Sequence, residues 1–401
     1  MGISYRALAY NPRVPPTSHV AAAEGRQPFH SERAVADRCP GVLRLIEAAN
    51  GHLARVRLPG GLITAEQLRV LARLAGEMGD GRVELTSRGN IQLRALAADA
   101  AARLTSELAV AGLVPSLDHD RVRNVLASPL AGLDGEPDLA PIVRVLDAGL
   151  CARPRLAQLS GRFLFAIDDG RGDVARLGAD VVAVARPGGA AVGGLRVSPD
   201  DVAAVMLAFA EAFLDERAAL ESSAWRIADL PGGPERVRDL VAGRRGLAGA
   251  ADSPGSSEPP LRPVGVVAGG SAVVLLAPLG RLTARQVGWL ADRVARRAAR
   301  VTPWRSVVLP DQADAAGVLR EAAGLGFGVD GTSPWLSVTA CAGKPGCASA
   351  LADVQADAVS LAARWPGRVV HVSGCGRHCG RPAATEIDVT ATSDGYQVAG
   401  A

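Results

Sequence analysis

At 401 residues and 48% apolar content, the chain is long enough for two or three domains of roughly 100–200 residues, each with its own buried core. A formal net charge of +3 provides no strong field for nucleic acid or a membrane surface, and no run of about 18 apolar residues offers a membrane span. With no secretory leader in view, the expectation is a cytoplasmic protein whose thiols stay reduced.

Residues 1–38 are rich in Pro and Ala and lack periodicity, so they read as a flexible arm. Order is expected from Cys39-Pro40-Gly41. A strand over 52–58 (HLARVRL), a Pro59-Gly60-Gly61 turn and an N-cap at Thr64 lead into a helix. A strand at 82–86 follows, then a polar interruption from Ser87, a resumed alternation to Leu93 and a helix over 96–113. This order makes 39–113 one ferredoxin-like half. Residues 114–245 alternate strands and helices and are assigned to a first α/β domain. Residues 246–263 (GLAGAADSPGSSEPPLRP) read as a linker.

From 264 to 330 the first pattern returns, with a strand at 273–277, a helix from Thr283 to 298 and a strand over 301–309. Pro59-x-Gly61-x-x-Thr64-Ala65-x-Gln67 and Pro278-x-Gly280-x-x-Thr283-Ala284-x-Gln286 share their spacing at an offset of 219, and Thr86 answers Thr302 at 216. An internal duplication is expected. Residues 331–401 form the second α/β domain. The fold class is therefore α+β: pseudo-twofold, duplicated ferredoxin-like halves, each followed by an α/β domain, with a pocket where the halves meet.

Four of the six cysteines fall in two tight pairs, Cys341-x5-Cys347 and Cys375-x3-Cys379, separated by 27 residues. A helix over 348–364 and a strand over 368–373 set the pairs at the ends of regular elements. Thiolates so gathered suit an iron–sulfur cluster or a structural zinc. The wide first loop, with Gly343, Pro345 and Gly346, favours the larger group, and its backbone can aim N–H groups at sulfurs. Lys344, in that loop, is the chain's only lysine, and Arg377 lies in the other. Cys39 and Cys151 stand apart and read as structural thiols.

Taken together, Thr86-Ser-Arg88-Gly-Asn90-Ile-Gln92, Arg123-Asn124-Val125, the duplicated halves and the C-x5-C and C-x3-C pairs resemble the nitrite and sulfite reductase superfamily. The likeness runs over roughly 39–395. Cys39-Pro40-Gly41, Thr302-Pro303-Trp304-Arg305 and Phe165-Ala-Ile-Asp-Asp-Gly170 are similar to its precorrin-3B synthase branch. That resemblance implies a 4Fe-4S cluster on Cys341, Cys347, Cys375 and Cys379, and a tetrapyrrole substrate. It further implies oxygen-dependent conversion of precorrin-3A to precorrin-3B, hydroxylating ring carbon 20 with lactone formation, for aerobic cobalamin biosynthesis. Reducing equivalents come from NADH, through a separate donor because no Gly-rich dinucleotide fingerprint follows a strand.

The branch is also linked to a mononuclear non-haem iron, for which His119 and His378 are the isolated candidates. By motif position, Arg88, Asn90 and Arg123 are the expected catalytic residues. Gln92, Asn124, Arg162, Arg305, Lys344 and Arg377 complete the expected substrate contacts. Sirohaem reductases place a second basic residue two positions past Arg162, where this chain has Leu164. Sirohaem-dependent nitrite or sulfite reduction is thus the alternative, and a non-catalytic iron–sulfur or zinc protein the third. Asp168-Asp169-Gly170 reads as turn chemistry, and a surface salt-bridge cluster competes with substrate contact at Arg123.

Overall fold

A computed structural model of the chain describes residues 37, 39–250, 263–382 and 384–400. The expected N-terminal arm lies outside these residues except for Asp37, as does the linker from 251 to 262.

The first ferredoxin-like half runs β1 (Ile46–Ala48), β2 (Gly51–Val56), β3 (Leu62–Ile63), α1 (Ala65–Met78), β4 (Arg82–Leu85), β5 (Ile91–Leu96) and α2 (Ala100–Val110). Leu68, Leu71, Leu74 and Ala75 recur at helical spacing and form the buried face of α1. Thr64 opens that helix with a capping box: its hydroxyl accepts from Gln67 N at 3.2 Å, and Gln67 Oε1 accepts from Thr64 N at 3.0 Å. The second helix begins later than the periodicity suggests, because fully buried Leu96 stays in β5 opposite His52.

The middle unit contains β6 (Val125–Ala127), α3 (Ala140–Cys151), β7 (Phe165–Asp168), β8 (Val181–Arg186), β9 (Gly189–Val192), β10 (Leu195–Val197), α4 (Val202–Ala219) and α5 (Gly233–Arg245). Its sheet has the order β10-β9-β8-β7-β6, parallel from β6 to β8 and antiparallel beyond. Residues 246–250, expected to begin the linker, are instead tied to this sheet. Arg196 N donates to Ala248 O at 2.9 Å and Ala250 N to Gly194 O at 2.8 Å.

The second half runs β11 (Gly265–Val267), β12 (Ala272–Leu276), β13 (Arg281–Thr283), α6 (Ala284–Ala291), β14 (Ala299–Val301), β15 (Ser306–Leu309) and α7 (Ala315–Gly324). Two expectations are corrected here. The helix expected to reach 298 stops at Ala291, since the loop after β15 captures the following chain: Gln312 Nε2 donates to Arg293 O at 3.0 Å and Asp311 Oδ2 accepts from Arg297 N at 3.0 Å. The single strand expected over 301–309 is a hairpin, turned by Thr302, whose hydroxyl accepts from Trp304 N at 3.2 Å and Ser306 N at 3.3 Å.

The last unit is β16 (Val338–Ala340), α8 (Val354–Ala362), β17 (Val370–Ser373), β18 (Ile387–Thr392) and β19 (Gly395–Ala399), with β16, β17 and β18 parallel and β19 antiparallel. It repeats the middle unit's plan of three parallel strands and an antiparallel return. Its helix starts six residues later than expected, at an N-cap where Asp353 accepts from Ala356 N at 3.2 Å.

The two halves are fused rather than adjacent. The duplicated Pro-x-Gly-x-x-Thr segments form a turn, a short strand and a cap, and each short strand crosses over: β3 pairs with β14, and β13 pairs with β4. Five-stranded sheets β1-β2-β5-β4-β13 and β11-β12-β15-β14-β3 result. One hydrophobic core runs through both, from Leu71 and Leu93 to Val287 and Leu309, and α1 packs on α6. The structure is thus α+β, duplicated and pseudo-twofold.

Candidate functional site

The two cysteine loops leave the C-terminal ends of neighbouring parallel strands, where Thr339 faces His371 and Ala340 faces Val372 in register. Cys341 N donates to Val372 O at 3.0 Å, and Gly374 N points at the Cys341 sulfur at 3.1 Å. Gly374 has to be glycine, because a Cβ there would lie 2.7 Å from that of Ala350, which closes the first loop over the second. Gln355 Nε2 ties the Cys341 carbonyl to α8 at 2.6 Å.

All four thiols are free and line one cavity of about 730 Å³. Its opposite wall is the edge strand β1 with Arg44 and Glu47; Arg94 and Arg377 complete the polar lining. Burial, and behind it the neighbouring thiolates of Cys341, Cys375 and Cys347, raise the pKa of the Cys379 thiol, which is the mark of four sulfurs in one neighbourhood. They are not drawn to a point, however. A tetrahedral zinc with Zn–S of about 2.3 Å spaces its sulfurs about 3.8 Å apart. Among the described residues, only Asp168, Asp169 and Asp173 bring three donor atoms within 4.8 Å of one another. The thiols therefore stand farther apart than a single ion would hold them. Lys344 is exposed on the outer side of its loop and does not line the cavity.

From the cavity wall an unbroken polar ladder crosses the first sheet. Ala54, Val56, Val83, Leu85, Ile91 and Leu93 point into the core, so their alternate neighbours share the other face. There Arg55, Gln92, Glu84 and Arg281 stand in register across β2, β5, β4 and β13. Arg55 Nε donates to Gln92 Oε1 at 3.0 Å, Gln92 Nε2 to Glu84 Oε2 at 3.1 Å, and Arg94 Nε to the same Glu84 oxygen at 2.6 Å. Arg281 Nε pairs with Glu84 Oε1 at 3.3 Å. Burial lowers the pKa of Arg55 against the attraction of Cys39, with the like charges of Arg88 and Arg94 adding to the lowering. Arg57, 1% exposed, leaves Nε and Nη1 without partners, and burial pushes it down to about 9.

Of the residues singled out by motif, Arg88 and Gln92 belong to this surface. Arg88 Nη1 donates to Gly161 O at 3.2 Å and the group is half-buried. Of Arg88, Asn90 and Gln92 only the last stands on a strand, since β5 begins at Ile91 and the first two lie in the preceding turn. Asn90 works inside the protein: its Oδ1 accepts from Leu58 N at 2.9 Å and its Nδ2 donates to Asn124 Oδ1 at 3.4 Å. Asn124 in turn donates to Gly161 O at 3.0 Å and Phe163 O at 3.3 Å, stitching the first half to the middle unit.

Arg123 is locked in a two-pronged ion pair with Asp147, at 2.7 Å for both prongs, and donates to Leu113 O at 2.9 Å. At 4% exposure its donors are taken up inside the protein, in a buried pair with α3 and not in the surface salt-bridge cluster that its sequence neighbours suggested. Arg162 is exposed and lies 4.4 Å over the Trp225 ring. Arg305 reaches the seam between the second half and the cysteine unit and Arg377 lines the cavity, so the expected contacts divide between two places. His119 is fully engaged, Nδ1 with Ser116 Oγ at 2.8 Å and Nε2 with Arg153 O at 2.9 Å. The residues that motif reasoning missed are Arg44, Arg55, Glu84, Arg94 and Arg281. Their signal was the polar side of the strand alternation, which gains meaning only when four strands are in register.

With this geometry in hand, residues 46–111 match the nitrite/sulfite reductase ferredoxin-like half domain. The chain is similar to the precorrin-3B synthase of a Sinorhizobium species, 29% identical over 89% of this chain and 81% of that one. It is similar to the ferredoxin–nitrite reductase of Synechococcus elongatus, 28% identical over 87% of this chain and 78% of that one. These matches are likenesses to the nitrite reductases and to precorrin-3B synthase, with the family model covering the first ferredoxin-like half. The solved structure of the Mycobacterium tuberculosis NirA protein is similar in fold, with a TM-score of 0.69 over 86% of this chain and 73% of that one at 21% identity. Among the described residues no helix is long and apolar enough to cross a membrane.

Proposed function

We propose that the chain is an oxidoreductase acting on a tetrapyrrole, of the precorrin-3B synthase kind, with Cys341, Cys347, Cys375 and Cys379 holding a 4Fe-4S cluster. The observation that carries this reading is the single cavity of about 730 Å³ lined by four cysteines from two loops, joined through Arg94 to a ladder of guanidinium groups. When bound, such a cluster supplies single electrons. The chain's own residues do the rest. Arg55, Arg88, Arg94 and Arg377 present planar forks that pair with the carboxylates rimming a macrocycle, and Gln92 and Glu84 hold those of Arg55 and Arg94 at fixed spacing. The Gly374 N–H stabilises negative charge on the Cys341 sulfur. Asn90 and Asn124 keep the ladder aligned with the middle unit. On this reading the substrate is precorrin-3A, the co-substrate molecular oxygen, and a separate NADH-linked protein the electron source.

Anaerobically purified protein given precorrin-3A, a reductant and then oxygen should yield the C20-hydroxylated lactone. Cys375→Ser should lose both the visible absorbance of the cluster and the product, and full turnover by that variant would remove the cluster from the reaction.

The Synechococcus relative motivates a second reading, reduction of nitrite or sulfite over sirohaem. Two features of the site weigh against it. Leu164 is buried in an apolar cluster where those reductases carry a basic group, and Arg123 is spent on Asp147. A strong Soret band with nitrite-dependent electron uptake would reverse the preference.

A further inference from the structure

Arg305 adopts a backbone conformation that its duplicate does not ask of a side chain. It takes φ 61°, and the equivalent position in the first half is Gly89, at φ 62°. Hydrogen bonds fix the equivalence: Gly89 N donates to Thr86 O at 3.1 Å, and Arg305 N to Thr302 O at 3.2 Å, in turns organised by the two threonine hydroxyls. A β-carbon in the left-handed region is strained, and glycine is free of that strain. Strain kept at one copy and absent from the other calls for a reason at the side chain.

No bond among the described residues provides that reason. Among the described residues the Arg305 guanidinium meets neither an acceptor nor a carboxylate at bonding distance, and the nearest acidic influence is Glu84, already held by Gln92 and Arg94. The stem crosses Gly280, whose Cβ would stand 2.6 Å from Arg305 Cδ. A terminal nitrogen lies 3.8 Å from where a Gly380 Cβ would be, directly after Cys379.

Around it lies a buried surface with unused polar atoms. Val370, Val372, Ile387 and Val389 pack toward α8, so His371, Ser373 and Asp388 face the other way. His371 Nε2, Ser373 Oγ and Asp388 Oδ1 are all buried without partners among the described residues. Asp388 already has Arg381 at 2.7 Å and His378 Nδ1 at 2.9 Å, whereas Arg305 has no carboxylate at bonding distance among the described residues. The Thr339 hydroxyl lies 2.8 Å from His371 Nδ1 and 3.3 Å from Val370 O, and where its one proton goes decides whether His371 Nε2 donates or accepts.

We infer that Arg305 is held in its strained turn to bind a carboxylate at the seam between the second ferredoxin-like half and the cysteine unit, with the unpartnered Ser373 Oγ and His371 Nε2 lining the same face. Taking that carboxylate to be a side arm of the macrocycle rests on the tetrapyrrole reading above. The carboxylate site itself stands on the geometry.

The test uses the full chain and two probes, uroporphyrin as a carboxylate-rich tetrapyrrole and citrate as a small carboxylate. Arg305→Gly and Arg305→Gln should each bind uroporphyrin at least about 10-fold more weakly than the parent, as expected for losing one charge-assisted pair. Citrate should raise the melting temperature of the parent and leave both variants unmoved. Arg305→Gly should melt above Arg305→Gln, because it removes the charge and relaxes the turn together. A citrate shift that persists in the variants or is missing from the parent overturns the site, as does equal uroporphyrin affinity in parent and variants. A citrate shift that depends on Arg305, with no uroporphyrin binding at all, keeps the carboxylate site and sinks the tetrapyrrole reading instead.

Discussion

The two ferredoxin-like halves place different chemistry on the same lattice. In the first, Arg55, Gln92, Glu84 and Arg281 stand abreast on the sheet face turned away from the helices; in the second the equivalent row is Val274, Val308, Arg300 and Leu62. The offsets of 219 and 216 that relate the duplicated motifs relate these rows residue by residue. The second row is dry. Val274 and Val308 pack with Leu133 of the middle unit, and Arg300 is consumed by the carbonyls of Pro129 and Ala131 at 2.6 and 2.7 Å. Duplication thus supplied two platforms, one spent on attaching a domain and one kept polar beside the cysteine cavity. A shared backbone says nothing about which face is available for chemistry; the side chains of one row decide it.

The largest effect comes from forcing the first row's chemistry onto the second. Val274→Arg would bury an unpaired guanidinium against Leu133, at a cost of at least about 3 kcal/mol, enough to take a large share of the stability of a domain. Chemical denaturation should show an early, separate loss of the interface between the second half and the middle unit. The reverse exchange, Arg55→Val, should leave stability within about 1 kcal/mol, because Gln92 keeps its bond to Glu84. It should still weaken uroporphyrin binding. Equal destabilisation by both would show that the two faces are equally structural and that the platform reading is wrong.

How far this contrast was legible in the sequence depends on the range of the interactions. Pro-x-Gly-x-x-Thr-Ala-x-Gln could be read twice because each residue acts locally, in a turn, a short strand or a capping box. That the short strands change places could not, since both pairings satisfy the same local preferences. The cysteine pairs announce themselves by spacing at strand ends, while the arginine ladder needs four strands in register before it exists. Arg123 shows the limit most plainly: its motif position suggested a ligand contact, and its partner Asp147 lies a helix away, on α3.

The two α/β units sharpen the comparison at intermediate scale, through pH. Ser128 follows β6 as Cys341 follows β16, and Asp169 N donates to Ser128 Oγ at 3.1 Å just as Gly374 N does to the Cys341 sulfur. In the middle unit this place is filled by acidic side chains. Burial, with Asp168 and Asp169 adding to it against the bond from Ser128, pushes Asp173 up to about 6. In the cysteine unit burial pushes His371 down to about 4.

The signs oppose each other. The folded state holds the Asp173 proton that the unfolded chain releases between about pH 3.8 and 6, so the middle unit loses stability as pH rises through that window. The unfolded chain takes a proton on His371 below about pH 6.5 that the folded state refuses until about 4, so the cysteine unit loses stability as pH falls. Each contribution is on the order of 3 kcal/mol. Hydrogen exchange between pH 4.5 and 6.5 should show β17 amides gaining protection while amides of the Asp173 loop lose it. Asp173→Asn and His371→Gln should each flatten one slope and leave the other; parallel slopes in the parent would end the contrast.

The smallest expected effect tests where the halves are most alike. Gln67 and Gln286 each serve two helices: Oε1 accepts from the N-cap threonine, and Nε2 donates to the carbonyl that ends the half's second helix, Ala111 at 3.1 Å and Leu325 at 2.9 Å. The geometry is matched, but Gln286 is buried at 8% exposure and Gln67 is only partly so. Water can replace part of what Gln67 provides and little of what Gln286 provides. Gln67→Ala should therefore cost about 1 kcal/mol and Gln286→Ala nearer 2 in urea denaturation. Because α1 packs on α6, the double variant should depart from additivity by about 0.5 kcal/mol or more, since weakening one helix loosens the surface against which the other is held. Strict additivity would mean that the fused core transmits nothing between the caps, and that the halves behave as two domains after all.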